Sequence, residues 1–234
     1  HRVIVYEKHH RPGGMLVQGI PSFRLPRDVI ELEINQVLSL GIELKCGVNI
    51  GNDETLDVLV QSHDAVVLAA GTLNGNRLDV AGNSLPGVEH GLDFLMEVNE
   101  RGRRDIGSKV TVIGGGYTAM DVARTAVRLG ADTTVYYRRG QHNMVVLPGE
   151  VQELLNENGA MSYFQTPYQF LGKNSVEQVE FLKTMINVEE GKQVLGIEKG
   201  SSINIDTDSV ILATGQRADT QWVSGQTGES IMAG

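Results

Sequence analysis

Lys109-Val110-Thr111-Val112-Ile113-Gly114-Gly115-Gly116-Tyr117-Thr118-Ala119-Met120-Asp121-Val122-Ala123-Arg124 is the stretch that decides the fold. It opens on a β-branched apolar run, Val110 to Ile113, and meets three glycines. Apolar residues then recur at helical spacing through Ala119, Val122, Ala123, Ala126 and Val127. That pattern is strand, tight turn, helix. Gly114, Gly116 and Ala119 fall on the G-x-G-x-x-G/A fingerprint of dinucleotide-binding units. Gly114 can adopt the backbone angles of the turn, and Gly116 puts no side chain in the way of a pyrophosphate. Ala119 is small enough for close helix–strand contact. The helix start offers free N–H groups and a partial positive charge to phosphates.

Downstream, Leu129-Gly130-Ala131 reads as a glycine helix stop. A second apolar run, Thr133 to Tyr137, leads into Arg138 and Arg139. At the end of the second strand of a nicotinamide-binding unit, an acidic residue would bind the 2′-OH of NAD, and arginine suits the 2′-phosphate of NADP. The guanidinium fork matches a phosphate in charge and shape. Taken alone, Arg138-Arg139-Gly140 fits a solvated basic turn equally well. The spacing of about 20 residues from the fingerprint favours NADP.

The chain has 234 residues, enough for one large or two medium domains. A hydrophobic share of 41% and a charged share of 21% are ordinary for a soluble globular protein. The net charge of −9 argues against nucleic acid or an anionic membrane as the main partner, so any phosphate site must be locally basic. No apolar run reaches the length of a membrane span, and no signal peptide is visible. A single cysteine, Cys46, excludes a disulfide framework or a redox C-x-x-C within this sequence. A reducing, cytoplasmic setting is expected. The chain moves from His1-Arg2 straight into an apolar run and stops inside another, Ile231 to Gly234, which suggests a piece of a longer protein.

From the amino end, Val3 to Tyr6 reads as a buried strand closing on Glu7. Such a glutamate could accept from adenosine ribose hydroxyls, or simply end a strand at the surface. The pair His9-His10 has no Cys or carboxylate at ligand spacing, which disfavours a metal site. Pro12-Gly13-Gly14 is a turn, and Gly19 to Pro26 a proline-bounded loop. Asp28 is a candidate N-cap with Glu31 as its capping-box partner, opening a helix that Gly41 ends. A short strand at 42–44 and a helix over 56–61, packing through Leu56, Leu59 and Val60, follow. Asp64 to Gly71 reads as a buried parallel strand ending at a ligand. Residues 90–98 form a helix and 100–108 a linker. After the fingerprint unit come a loop to Pro148, a helix over 150–158, a strand over 160–164, and antiparallel strands near 176–187, 193–199 and 201–205. Asp208 to Thr214 is a second buried run, closing on Gly215-Gln216. Two such runs on either side of the fingerprint suggest two nucleotide-binding units, one inserted in the other. The fold class is therefore α/β. A Rossmann-like NADP-binding domain, 108–214, sits within a partial FAD-binding domain, 1–107, which the chain begins to re-enter over 215–234. Central sheets are parallel, with antiparallel strands added.

The pieces Glu7-Lys-x-x-Arg11-Pro-Gly-Gly-Met15, Gly19-Ile-Pro-x-Phe-Arg-Leu-Pro26, Asp64-Ala-Val-x-Leu-Ala-x-Gly71, Val112-Ile-Gly-Gly-Gly-x-Thr-Ala-Met-Asp121, Tyr137-Arg-Arg139 and Ile211-Leu-Ala-x-Gly-Gln216 resemble the two-dinucleotide-binding-domain flavoproteins. More closely, they are similar to the small, NADPH-oxidising subunit of glutamate synthase and its relatives, which include the amino-terminal flavin module of dihydropyrimidine dehydrogenase. The resemblance covers nearly the whole chain and implies roles. Glu7 would bind the flavin adenosine ribose, and Gly13, Gly14 and Met15 would lie along FAD. Ala70 and Gly71 would lie where the chain passes between the two units. Gly114, Gly116, Thr118 and Ala119 would hold the NADPH pyrophosphate, with Arg138 and Arg139 on its 2′-phosphate. Gly215 would lie near the return to the FAD domain.

The chain also departs from the family. Tyr117 stands where relatives usually carry Asn, and its ring could crowd the pyrophosphate or lie over the ribose. Leu147-Pro148-Gly149 stands near the place of the usual Met-Pro-Ala run. The first FAD fingerprint and the cysteine-rich Fe–S domain of relatives are not in this sequence, and Gly234 falls where the last flavin motif should begin. The implied activity is hydride transfer from NADPH to FAD. Electrons would pass on to an Fe–S-containing domain or a large amidotransferase subunit, and no catalytic side chain is needed. The alternative is an NADP(H)-binding fragment without turnover.

Overall fold

The computed structural model describes residues 1–189, 192–219 and 221–224, and packing divides the chain into two units. One holds residues 1–74 and 216–234, and the other residues 75–215. In the first unit, β1 (Ile4–Glu7) precedes two helices, α1 (Met15–Gln18) and α2 (Arg27–Leu38). β1 then pairs in parallel with β2 (Glu43–Cys46). Pro26 presets the backbone at the start of α2 with φ −58°, so the helix begins at Arg27 and Asp28 does not cap it. The Asp28 carboxylate accepts instead from the adjacent Val29 N–H at 3.0 Å. The Arg27 guanidinium donates to the carbonyls of Leu16 and Ile20, both at 2.8 Å, and so ties α2 to the preceding loop. α3 (Leu56–Ser62) is capped by the Thr55 hydroxyl, which accepts from Val58 N–H, and it buries Leu56 and Leu59 but leaves Val60 exposed.

The run Asp64 to Gly71 is not a strand. It carries no ladder, and Val67 is 88% exposed. Apolar β-type sequence becomes a strand only where a neighbour offers backbone N–H and C=O groups. Among the described residues no strand does so here.

After β3 (Asn74–Gly75) the second unit runs through β4 (Val88–His90), α4 (Gly91–Arg101), β5 (Lys109–Ile113), α5 (Tyr117–Arg128), β6 (Asp132–Tyr137), α6 (Pro148–Asn156) and β7 (Ala160–Tyr163). It continues with β8 (Gln165–Leu171), β9 (Gln178–Glu189), β10 (Lys192–Ile197), β11 (Ile203–Asp206) and β12 (Ser209–Leu212). Five strands form one parallel sheet in the order β4-β12-β5-β6-β7. The chain returns to the first unit through β13 (Gln216–Arg217) and α7 (Gln221–Ser224). The first division by packing falls between residues 74 and 75. The short strand β4 pairs with β12 and α4 packs on α5, so residues 100–108 connect elements within one unit.

Side-chain alternation assigns the two faces of this sheet. Val110 and Val112 of β5, Val135 of β6 and Ile211 of β12 pack with Phe94, Met120, Val122 and Leu154 of the helices. Their neighbours Ile113, Tyr136, Val210 and Leu212 point the other way, onto Phe170, Val179 and Phe181 of the antiparallel strands. There β9 pairs with β8, β10 and β11. Tyr136 stacks on Phe181 with ring centroids 4.2 Å apart, and burial raises the pKa of its phenol. The expected helix, strand, helix and antiparallel elements are thus found, whereas β4 and β8 have no counterpart among the expectations. No helix among the described residues is long and apolar enough to cross a membrane.

α5 and α6 are joined by charge as well as packing. Arg124, nearly buried, donates to Glu153 at 3.0 Å and to Glu157, and Arg128 also reaches Glu157 at 2.8 Å. Desolvation pushes the Glu157 carboxyl up, but the bonds from Arg124 and Arg128 outweigh it, so its pKa lies below the ordinary 4.5. A carboxyl depressed in the folded state contributes stability above its unfolded pKa and loses it as pH falls through the folded value. Glu157→Gln is expected to lower stability by about 1–2 kcal/mol at neutral pH. The difference from wild type should shrink to nothing as pH drops below 4.5 in denaturant titrations. A difference that stays constant across that range would remove the ion pairs from the account.

Candidate functional site

At the carboxyl end of β5 the three glycines do three separate things. Gly114 has φ +150°, and its N–H donates to the Tyr136 carbonyl at 3.1 Å. A Cβ there would lie 2.3 Å from the carbonyl oxygen of Ala213, just past β12, so only glycine fits. At Gly115 a Cβ would meet the Tyr137 ring at 2.4 Å, and that ring is held by its hydroxyl donating to the Asn143 carbonyl. At Gly116 a Cβ would meet nothing within 4 Å. The open space expected in front of the fingerprint thus lies over Gly116, the N-cap residue of α5.

No side chain caps α5, and no acidic residue stands in its first turn. Its N-terminal N–H groups and dipole are left to an anion from outside the helix. Ala119 is fully buried, with its N–H on the Gly116 carbonyl at 3.0 Å. Thr118 is half-buried, its methyl within 3.5 Å of the position a Gly91 Cβ would take. Tyr117 is 43% exposed, so its ring stands at the rim rather than in the core.

Parallel pairing in register with β5 brings the end of β6 to the same edge of the sheet. Arg138 and Arg139 follow it directly and are exposed. Neither guanidinium has an ion pair or side-chain hydrogen bond among the described residues. Their main chain, by contrast, is held. The Arg138 carbonyl accepts from the Thr184 hydroxyl at 2.7 Å, and the Arg139 carbonyl accepts from Phe164 N–H at 3.3 Å. Two cations with no partner among the described residues therefore stand on a fixed backbone, on a chain of net charge −9.

The other predicted residues fall elsewhere. Gly215, exposed at φ +99°, is tied by its carbonyl to Asn76 N–H at 3.0 Å and to His90 Nε2 at 3.2 Å. In the first unit, Glu7 ends β1, and one carboxylate oxygen already accepts from His9 N–H at 2.8 Å. Its second oxygen has no hydrogen-bond partner among the described residues. Gly13 is a packing glycine, because a Cβ there would lie 2.7 Å from Val17 and 3.2 Å from Ile34. Gly14, at φ +49°, faces open space, and Met15 begins α1 half-buried. Ala70 and Gly71 are exposed on the segment that forms no strand.

The sequence offered no sign of the Thr184 tie, and the ring beneath Gly115 was marked only by the middle glycine of the run. Gly114→Ala and Gly115→Ala are each expected to cost about 1–3 kcal/mol of stability, because a methyl must displace packed neighbours. Gly116→Ala should change stability by less than about 1 kcal/mol. Equal losses at all three positions in thermal unfolding would contradict this division of labour.

Comparison with known proteins gives the same architecture. The chain is 33% identical over 229 residues to the putative glutamate synthase [NADPH] small chain of Cereibacter sphaeroides, covering 92% of this chain and 55% of that protein. It is 35% identical over 236 residues to the glutamate synthase [NADPH] small chain of Halomonas elongata, covering 94% and 49%. The chain thus spans about half the length of the curated relatives it matches. Its fold superimposes on Mycobacterium tuberculosis FprA in complex with NADPH with a TM-score of 0.82 at 18% identity, over 93% of this chain and 64% of that one. A family model described as pyridine nucleotide-disulphide oxidoreductase matches residues 41–231, and over this greater part of its length the chain belongs to that family.

Proposed function

We propose that the unit spanning residues 75–215 holds NADPH, and that the unit containing Glu7 and Gly14 contributes to an FAD site, in an oxidoreductase of the glutamate synthase small-chain type. One observation carries the proposal. An open glycine before a helix with no side-chain cap stands at the same sheet edge as two guanidinium groups that have no partner among the described residues. The α5 N–H groups suit the pyrophosphate, with Gly116 giving clearance and Thr118 a hydroxyl nearby. Arg138 and Arg139 suit the 2′-phosphate, which distinguishes NADPH from NADH. Ala119 acts through packing, by bringing α5 close to β5. In this reading the exposed Tyr117 would cover the ribose rather than block the diphosphate.

For FAD, the open space at Gly14 and the spare oxygen of Glu7 fit the edge of an adenosine-diphosphate group. FAD, when bound, supplies the acceptor for a hydride from NADPH. The residues named here position and exclude, and none is asked to act as an acid or base. Electrons would pass on to a partner subunit or an Fe–S centre, and the relatives' description as small chains supports the partner subunit. A second reading, nucleotide binding without turnover in this stretch of chain, draws on the exposure of Ala70 and Gly71. A yellow preparation bleached by NADPH would favour electron transfer, and a colourless one that still binds NADPH would favour binding alone.

Calorimetric titration with both coenzymes tests the phosphate assignment. Replacing Arg138 and Arg139 by Ala together removes two charge-assisted contacts of about 1.5–3 kcal/mol each. NADPH affinity is expected to fall roughly a hundredfold or more, with NADH affinity changed less than about threefold. Equal loss for the two coenzymes would defeat the assignment.

A further inference from the structure

Among the described residues, two that are not glycine have φ in the left-handed region, Asn158 at 68° and Phe164 at 57°. Asn158 is a familiar helix stop. It follows α6, and the next residue, Gly159, returns its N–H to the Leu154 carbonyl at 3.0 Å. An aromatic residue has no comparable tolerance for this conformation, and such strain persists only where the surroundings impose it.

At Phe164 the surroundings do impose it. β7 ends at Tyr163, the register partner of Tyr137, so Phe164 stands level with the start of the arginine pair. Its N–H donates to the Arg139 carbonyl, and its carbonyl accepts from Thr184 N–H at 2.8 Å. The Thr184 hydroxyl in turn holds the Arg138 carbonyl. Gly140, the next residue after the arginines, makes room for the ring, since a Cβ there would lie 2.8 Å from Phe164 Cζ. Yet the residue remains 42% exposed, while Phe94 and Phe181 in the same unit are completely buried. Core burial alone does not account for a strained backbone that leaves its ring half in water.

We infer that Phe164 is a platform on which the adenine ring of the coenzyme stacks, a specificity-determining residue set beside Arg138 and Arg139; this rests on the NADPH assignment above. A flat apolar face next to two unpaired cations takes a flat aromatic ring that carries an anion within short reach. Adenine on a 2′-phosphorylated ribose has that chemistry. Stacking of a base on an aromatic side chain is worth about tenfold or more in affinity.

The test uses 2′,5′-ADP, which carries the base and the 2′-phosphate without the nicotinamide half. Phe164→Gly removes the ring and relieves the left-handed strain. It is expected to raise the Kd for 2′,5′-ADP about tenfold while Tm stays level or rises, and Phe164→Tyr should bind as wild type does. A ring that serves only to pack would give the opposite pattern: Phe164→Gly would lower Tm, and Phe164→Leu would restore both Tm and binding. That result overturns the inference. If Phe164→Gly binds as wild type while Arg138→Ala with Arg139→Ala abolishes binding, the platform is wrong and the NADPH assignment stands. If the wild-type chain itself does not bind 2′,5′-ADP, both fall together.

Discussion

One close approach governs the second unit, that of the Gly114 backbone to the carbonyl of Ala213. Because β12 lies between β4 and β5, its end and the glycine turn compete for the same space. With no side chain at Gly114 the two fit, and α5 can begin at the very edge of the sheet. The fully buried Ala119 continues the contact one turn further on. The helix is then committed to its packing along most of its length, as its buried run from Ala119 to Ala126 shows. What is left over is its amino end, with N–H groups that no side chain among the described residues caps.

Charge follows the same logic of matched and unmatched groups. Arg124 and Arg128 meet Glu153 and Glu157, and Arg104 bridges Glu89 and Glu97. These arginines are structural, each facing a carboxylate on a neighbouring element or turn. Arg138 and Arg139 are different in kind, because their backbone is anchored and their charge is not answered by any described residue. On an acidic chain such a pair concentrates positive potential at one edge of the sheet. The desolvated carboxyl of Glu89, whose pKa is raised by burial despite Arg104, belongs to the packing of α4 and not to that edge.

The strand–glycine–helix unit was legible because every signal in it is local: β-branched run, turn residues, then helical spacing. The antiparallel strands over 176–205 were legible for the same reason. β4 was hidden because three residues running directly into a helix show no period. β8 carries Pro167 at a register irregularity, which broke its pattern. Asp64 to Gly71 failed in the opposite sense. Its composition is that of a buried strand, but a strand is a property of two segments, and composition reports only one. Gly13 and Gly14 look alike in sequence, and only the positions of Val17 and Ile34 separate a glycine that packs from one that faces open space. Phe164 carried no signal at all, since left-handed backbone at an aromatic residue is imposed from outside.

The Thr184 hydroxyl has a wider consequence. Thr184 belongs to β9, where successive side chains alternate between faces; it is buried, and its neighbour Met185 is exposed. A single inserted or deleted residue upstream in that strand would exchange the two, and the prop beneath Arg138 would vanish. The added sheet, remote in sequence from the glycine turn, therefore sets the tolerance for length variation in this unit. Strand register there is under the same constraint as the residues proposed to hold the coenzyme.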